Sequence, residues 1–250
     1  MTQMKHMTWY EFNERKDKDV VILPVGSVEQ HGPHLPLFTD TIISEGFAEL
    51  LAQEVNGIVM PAINYGYKSQ PASGGGPLFA GTIDLNGATL IALVQDILEE
   101  LIRDGVKQIA VVNSHFENQA FLLEAIDLVS RHMPEGTKIV MMSWWDLITQ
   151  ETIDKVFDEV PFPGWALEHA AITETSLILK FAPETVHMDR LIEEKIEEVP
   201  TYQVYPIPKD LVPASGLLSI GRTSSQEKGE LIIAEALKGM VSIVNKEFKN

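Results

Sequence analysis

The sequence contains no cysteine among its 250 residues. Disulfide bonds, thiolate nucleophiles and thiolate metal ligands are therefore excluded, and a metal ion would have to bind nitrogen and oxygen atoms. Such donor atoms suit Zn²⁺, Mn²⁺ or Mg²⁺. A metal site in this chain must consist of histidine and oxygen-bearing side chains.

Basic residues are scarce. The 19 lysines and arginines face 36 aspartates and glutamates, which gives a formal net charge of -17. A protein with this negative charge repels a phosphate backbone, and the sequence has no basic cluster with interleaved aromatic residues that could bind one. We expect no nucleic-acid partner.

Long apolar runs are also missing. No stretch approaches the roughly 18 apolar residues that a membrane-spanning helix needs, and the N-terminal residues lack the apolar core of a secretory signal. With 45% hydrophobic residues, the chain can still bury a full core. We therefore expect a single domain over residues 1–250, no membrane contact and a cytoplasmic location.

Apolar runs typical of buried strands alternate with helical patterns. Strands are predicted at 19–26, 57–63, 108–115 and 137–145, with amphipathic helical stripes between them and a last helix over 224–248. Repeated strand-helix-strand units of this length favour right-handed crossovers and a parallel sheet. The pattern predicts an α/β fold, a three-layer α/β/α sandwich with a mostly parallel central sheet. The polar segment 193–213 is predicted to be a long excursion from it.

Metal-capable side chains follow the predicted strands. The stretch "VGSVEQHGPHLPLFTD" carries Glu29, His31 and Asp40, and "NSHFEN" carries His115 and Glu117. The carboxyl ends of parallel strands meet at one edge of a sheet. In extended backbone, residues two apart project to the same side, so each pair can point together. Five ligands with Asp40 bridging would serve two divalent ions.

Simpler interpretations exist for the three carboxylates. Asp40 could be a helix N-cap, and Glu29 and Glu117 could be solvated loop charges. We expect His34 to be a solvated loop residue, because the prolines around it break the alternation. Two carboxylate-imidazole pairs and an aspartate at strand ends favour metal binding over coincidence.

The loop "YKSQPASGGGPLFAGT" contains three consecutive glycines after Ser73. It lacks the G-K-[ST] ending of a phosphate-binding loop. The glycines, Gly74 among them, would allow backbone to approach a small ligand closely, with Ser73 as a hydrogen-bond donor. The alternative is a flexible surface turn.

Aromatic residues accompany further polar ones in two stretches. "PFPGWALEHAAITETS" places Trp165, Glu168 and His169 ahead of a helical stripe, and "SWWD" places Trp144 and Trp145 at a strand end. These tryptophans could pack in the core, and the histidine could be structural. We expect one of the two consecutive tryptophans to face the core and the other the cleft.

Six stretches in this order resemble the creatininase (creatinine amidohydrolase) family: "LPVGSVEQHGPHLP", "YGYKSQPASGGG", "FAGTIDLNGATL", "NSHFENQAF", "SWWD" and "GWALEHAAITETSL". The resemblance runs from about Thr8 to Phe248. It implies zinc and manganese in a binuclear site and a hexameric assembly. It also implies that Asp40 bridges the two metals. One of them would be held by Glu29 and His115, and the other by His31 and Glu117.

The resemblance implies reversible conversion of creatinine to creatine. A water acidified by the two metals would give hydroxide, and His169 would be the general acid towards the ring nitrogen. Glu117 and Glu168 are predicted to join it as catalytic residues. The predicted substrate contacts are Ser73, Gly74, Phe116, Trp145 and Trp165, of which the tryptophans would enclose a small flat ring.

Phe116 departs from the family pattern, in which a tyrosine stands between the two ligands. If the missing hydroxyl touches substrate, the site has changed; if the ring faces the core, the loss matters little. The alternative is a related amidohydrolase acting on another small cyclic amide, guanidino compound or formamide. A non-enzymatic alternative also stands: a metal-dependent protein that binds a small molecule and has lost catalysis.

Overall fold

A four-stranded parallel sheet forms the centre of the protein, which a computed structural model describes at residues 2–192, 202, 204–208 and 211–248. The strand order is β2-β1-β3-β4. In chain order, the strands are β1 (Val21–Val25), β2 (Ile58–Val59), β3 (Gln108–Asn113) and β4 (Lys138–Ser143). All four predicted strands are therefore present, with shorter bounds, and most of the predicted excursion at 193–213 lies outside the described residues.

Eight α-helices occur in the described residues. They are α1 (Trp9–Asn13), α2 (Thr39–Val55), α3 (Pro71–Gly74), α4 (Gly87–Arg103), α5 (Gln119–Ser130), α6 (Gln150–Val156), α7 (Ile172–Phe181) and α8 (Gln226–Phe248). None of these helices is long and apolar enough to cross a membrane.

Helices cover both faces of the sheet. Ile22 of β1 packs in one core cluster with residues of α2, α7 and α8, whereas Val21 and Leu23 pack in another with residues of α4 and α5. Successive strand residues point to opposite faces, which is why β1 is apolar throughout and buried along its length. The predicted three-layer α/β/α sandwich is confirmed.

Pro24 lies in β1, a central strand, although proline cannot donate a backbone hydrogen bond. Its carbonyl oxygen faces the β2 side, where it accepts a hydrogen bond from the amide of Ile63 at 3.0 Å. Strand β2 has already ended at Val59. The missing N–H of Pro24 therefore interrupts no regular ladder, and the strand continues to the loop that carries Glu29 and His31.

Candidate active site

Buried polar side chains gather at the carboxyl edge of the sheet. Glu29 and His31 follow β1, Asp40 lies in the first turn of α2, and His115 follows β3. Each of these four side chains is at most 2% exposed. These four predicted metal ligands, which come from three segments of the chain, are thus brought together at the expected edge of the sheet.

One group of possible ligands consists of Glu29, Asp40 and His115. His115 Nδ1 lies 3.0 Å from Glu29 Oε2 and 3.0 Å from Asp40 Oδ2. The other oxygen of Glu29 accepts a hydrogen bond from the hydroxyl of Ser69. This contact orients the Glu29 carboxylate so that Oε2 faces the histidine.

A second group consists of His31, Asp40 and Glu174. His31 Nε2 lies 3.0 Å from Asp40 Oδ1 and 3.5 Å from Glu174 Oε2. Asp40 therefore presents one oxygen to each group. Glu174, in the first turn of α7, was not among the residues predicted from the sequence.

Backbone carbonyls set the orientation of both histidines. His115 Nε2 faces the Tyr67 carbonyl oxygen at 2.9 Å, and His31 Nδ1 faces that of Glu29 at 3.1 Å. A carbonyl oxygen only accepts, so each of these nitrogens carries the proton. Metal-binding histidines typically donate their second ring nitrogen in this way. His115 Nδ1 and His31 Nε2 therefore face the carboxylates.

The residues fit a cation in each group. His31 Nε2 and Asp40 Oδ2 are buried without a hydrogen bond, although each has an opposing nitrogen or oxygen 3.0 Å away. Removing such atoms from water without a partner is costly. A divalent ion between nitrogen and oxygen donors would satisfy both atoms, and the mixed donor set suits zinc or manganese.

Burial and neighbouring charges shift the pKa values of the side chains in these ligand groups. Burial alone would lower the pKa of His31, but the Asp40 and Glu174 carboxylates raise it well above its usual value. Burial would raise the pKa of Asp40, yet the neighbouring histidines hold it well below its usual range. Burial raises the pKa of Glu29 to about 7 against the opposing effect of His115. Charges this concentrated in a dry site need mutual compensation.

A third possible group contains Glu29, His31 and His169. His169 Nε2 lies 2.8 Å from the backbone carbonyl oxygen of Gln30, so this nitrogen carries a proton and is not a metal ligand in this arrangement. The His169 ring lies 4.4 Å from that of His31. Burial lowers the pKa of His169, and the neighbouring His31 lowers it further.

Glu117 lies outside the three groups of possible ligands found among the described residues. Its Oε1 accepts hydrogen bonds from Ser73 Oγ at 2.5 Å and from the Gln70 amide at 3.1 Å. Its Oε2 is 3.4 Å from His115 Nε2, the nitrogen turned away from Asp40. The backbone makes a 3-10 turn at Phe116–Asn118, so the extended alternation expected for His115 and Glu117 does not hold.

A small cavity lies against these groups. Its aromatic wall contains Phe116, Trp144, Trp145 and Trp165, and its polar side includes Glu117 and His169. Both consecutive tryptophans line the cavity and both pack in the core, which differs from the expected division between them. Phe116 is 39% exposed with its ring 5.8 Å from that of Trp145, so it borders the cavity.

Glu168 lines the cavity and also holds the start of α7. Its carboxylate accepts hydrogen bonds from the Ile172 amide at 2.9 Å, the Thr173 amide at 3.2 Å and the Thr173 hydroxyl at 2.6 Å. Burial raises the pKa of Glu168 to about 8, against these donors, which lower it. Its visible contacts satisfy free amides of a helix N-terminus.

The glycine loop packs on the ligand residues. A Cβ on Gly74 would lie 2.0 Å from Glu29 Oε1, so glycine is required there for close approach to a carboxylate. Gly74 is buried and is not among the residues that line the cavity, whereas Ser73 lines it and donates to Glu117. The loop supports the site from behind rather than forming a flexible surface turn.

His34 is fully buried, which corrects the prediction of a solvated loop residue. Its Nε2 lies 3.0 Å from the hydroxyl of Thr175 in α7, and its backbone carbonyl accepts the amide of His187. The proline-rich loop after β1 folds inward here and packs against α7. The expectation failed because local proline content does not report this tertiary contact.

Comparisons with known proteins show which family this chain resembles. The model of the family Creatininase, described as creatinine amidohydrolase, matches residues 5–244. The chain is 38% identical to creatinine amidohydrolase of Pseudomonas putida over 248 residues, 97% of this chain and 95% of the relative. It is 30% identical to the mycofactocin precursor peptide peptidase of Mycolicibacterium smegmatis, over 88% of this chain and 82% of the relative.

A solved structure, "Creatininase Mn", superimposes with a TM-score of 0.95 at 38% identity, covering 100% of this chain and 99% of the other. The whole-chain match extends over all the segments that carry Glu29, His31, Asp40, His115 and His169. The resemblance first read from sequence motifs is therefore confirmed. This chain belongs to the creatininase family of amidohydrolases.

Proposed function

We propose that this protein is a binuclear metal-dependent amidohydrolase that interconverts creatinine and creatine. The observation that carries the proposal is the pair of ligand groups sharing Asp40 beside a small cavity with an aromatic wall. The aromatic wall suits the face of a small flat ring, and the polar side supplies groups that can orient such a ring. The similarity to creatinine amidohydrolase over nearly the whole chain supports the same substrate.

We assign one ion to Glu29, Asp40 and His115, and a second to His31, Asp40 and Glu174. Glu174 replaces Glu117 in the ligand set expected from the resemblance, because its oxygen faces His31 across from Asp40. Zinc and manganese are the proposed ions, as the donor atoms suit both and a related structure is that of creatininase with manganese. Bound there, they would acidify a water and polarise the substrate carbonyl.

Glu117 is the residue that we assign to accept a proton from the attacking water. Ser73 and the Gln70 amide bind its Oε1, which fixes the carboxylate at the cavity wall. The oxygen of the water adds to the carbonyl carbon as the ring C–N bond breaks. The base must stand close to the water with its orientation already set, and these two donors supply that.

His169 supplies a proton to the departing ring nitrogen. Because Nε2 donates to the Gln30 carbonyl, the free lone pair is on Nδ1. Nδ1 takes up the proton that Glu117 removed from the water and passes it to the departing nitrogen. One water is thus divided between the carbonyl carbon and the nitrogen, and the reverse sequence closes the ring. Trp145, Trp165 and Phe116 exclude bulk water from this exchange.

Creatinine turnover by the fully metallated protein tests the proposal. We expect creatine to form from creatinine, and creatinine from creatine, with Mn²⁺ or Zn²⁺ present and neither after chelation. His169→Ala should keep both ions and lower kcat by roughly 10²–10⁴-fold, as expected for loss of a general acid. No interconversion at full metal content would reject creatinine as substrate.

A second candidate is an amidohydrolase acting on a different small amide. Two observations favour keeping it: Phe116 borders the cavity without the hydroxyl that the family pattern predicts, and a relative is a mycofactocin precursor peptide peptidase. Hydrolysis of other cyclic amides, guanidino compounds and formamides, measured alongside creatinine, separates the two. A non-catalytic binding protein would show none of these activities.

We also propose a cytoplasmic homohexamer built from single-domain subunits, as the family resemblance implies. The exposed apolar side chains of Leu37, Ile83 and Ile192 support association, because they are 43%, 54% and 52% exposed in the isolated chain. Sedimentation equilibrium measures the assembly. A monomer at micromolar concentration would reject the hexamer.

A further inference from the structure

Gln30 lies between two ligand residues and joins three loops. Its side chain is buried, and its Nε2 donates to the carbonyl oxygens of Gly74 at 3.1 Å and Gly216 at 2.9 Å. Its Oε1 accepts the amide of Gly32 at 2.9 Å. The amide orientation follows, because only the nitrogen can donate to two carbonyls and only the oxygen can accept an N–H.

Glycines make this close arrangement sterically possible. Gly216 has φ +76°, and a Cβ there would lie 2.1 Å from Gln30 Oε1. A Cβ on Gly75 would lie 2.8 Å from Gln30 Nε2. The backbones of two separate loops therefore lie directly against the Gln30 side chain. No larger residue could replace Gly75 or Gly216 without displacing Gln30.

The same residue contacts His169 through its backbone. The Gln30 carbonyl oxygen is 2.8 Å from His169 Nε2, and Gln30 Nε2 is 2.9 Å from the same atom. Both amide protons of Gln30 are engaged by Gly74 and Gly216, so the imidazole proton is on Nε2 and is donated to the carbonyl. Nδ1 makes no hydrogen bond to any described residue, and its nearest acidic neighbour is Glu174 Oε2 at 4.0 Å.

We propose that Gln30 is a positioning residue for His169. Its side chain fixes the loop after β1 against Gly74 and Gly216, and its carbonyl thereby selects the Nε2-protonated tautomer and leaves Nδ1 for the substrate. This inference rests on the proposed function, in which His169 transfers the proton. Displacing a reacting group by about 1 Å can cost about 10²-fold in rate, so the contact matters to turnover.

Gln30→Leu tests the proposal, with Gln108→Leu as the matched control. Gln108 also donates its amide to a carbonyl, that of Phe248, but at the far end of β3. We expect Gln30→Leu to lower kcat for creatinine by about 10–10²-fold with KM within about threefold of wild type and full metal content. Gln108→Leu should keep wild-type kcat.

Nitrogen-15 NMR of the histidine rings in the zinc-loaded protein gives a readout that does not depend on activity. In wild type the His169 ring, assigned by its absence in His169→Ala, should be protonated at Nε2. Gln30→Leu should show a mixture of tautomers. Protonation at Nδ1 in wild type would overturn the proposal without any variant being needed.

The outcomes also separate this proposal from the proposed function. If His169→Ala keeps full turnover, the general-acid assignment fails and this inference fails with it. If His169→Ala loses turnover while Gln30→Leu keeps it, only the role of Gln30 is rejected. If Gln30→Leu lost kcat in proportion to lost metal, the positioning role towards His169 would also be rejected. Gln30 would then hold the metal ligands Glu29 and His31 in place instead.

Discussion

At the scale of single residues, we propose that Glu174 and Glu117 divide two roles, metal ligand and catalytic base, that the sequence resemblance had combined in Glu117. Glu174 faces His31 at 3.5 Å, whereas Glu117 is bound by Ser73 and the Gln70 amide. We predict that Glu174→Gln loses about one of two ions per chain. Glu117→Gln should keep both ions and lower kcat by roughly 10²–10⁴-fold.

Elemental analysis of the purified variants, combined with turnover at saturating creatinine, checks this pair. Glu151→Gln is the control, because Glu151 is exposed and pairs with Lys155 on α6. It should match wild type in both measurements. If Glu117→Gln lost an ion and Glu174→Gln kept both, Glu117 would be the metal ligand, as the sequence resemblance implied, and Glu174 would not.

Phe116 is the residue at which substrate preference is most open to change. Its ring is 39% exposed on the cavity wall, so an added hydroxyl would reach the cavity and not be buried without a partner. Phe116→Tyr should leave stability and metal content unchanged and raise kcat/KM for creatinine by about 2–10-fold, the value of one hydrogen bond. Equal changes for creatinine and for an unrelated amide would contradict a substrate contact.

At the scale of elements, the start of α7 positions much of the site. Glu168 binds two free amides there, Glu174 accepts the Ala170 amide at 2.6 Å, and Ala170 itself has a positive φ of 54°. This turn sends His169 and Glu174 towards the same cavity. A left-handed alanine is uncommon, which is consistent with a turn held by its neighbours.

We predict different outcomes for two changes at Glu168. Glu168→Ala removes the acceptor for the amides of Ile172 and Thr173 and should lower the free energy of unfolding by about 1–3 kcal/mol. Glu168→Gln keeps one acceptor oxygen, so it should cost less and retain most of kcat. Urea unfolding and steady-state kinetics measure both effects.

Glu11→Ala is the control, because Glu11 caps α1 with Thr8 far from the cavity. It should lower stability modestly and leave kcat unchanged. If Glu168→Gln were stable but lost kcat like a proton-transfer variant, Glu168 would have the catalytic role first predicted for it rather than a structural one.

The same elements explain what the sequence alone could and could not predict. Glu29, His31 and His115 could be predicted to lie together because parallel strands end at one edge, and that rule needs only the strand pattern. Glu174 was missed because its direction depends on the turn at Ala170, which no local pattern indicates. Glu117 was expected to alternate with His115 in extended backbone, but the strand ends at Asn113 and a 3-10 turn follows.

At the scale of the whole molecule, burial of His34 links stability to pH. Burial, and next the positive charge of His31, lower the pKa of His34 to about 4. In the unfolded chain it titrates near 6.5, so between about pH 6.5 and pH 4 only the unfolded chain takes up the proton. The contribution of neutral His34 to the free energy of unfolding is therefore fully present above pH 6.5. It is lost as pH falls towards 4, by up to about 3 kcal/mol.

Urea unfolding of His34→Gln and wild type across this range checks the expectation. The variant should lose less stability on acidification than wild type. His132→Gln is the control, because His132 is exposed and should follow the wild-type curve. Parallel curves for wild type and His34→Gln would show that His34 does not resist protonation in the folded protein.

We propose that two ions sharing Asp40 form one catalytic unit for amide hydrolysis. The most direct measurement is the rate of creatine formation from creatinine as Mn²⁺ or Zn²⁺ is added back stepwise to chelated protein, with bound metal determined at each step. We predict little activity up to one ion per chain and full activity as the second binds. Full activity at one ion per chain, or no creatine at two, would contradict it.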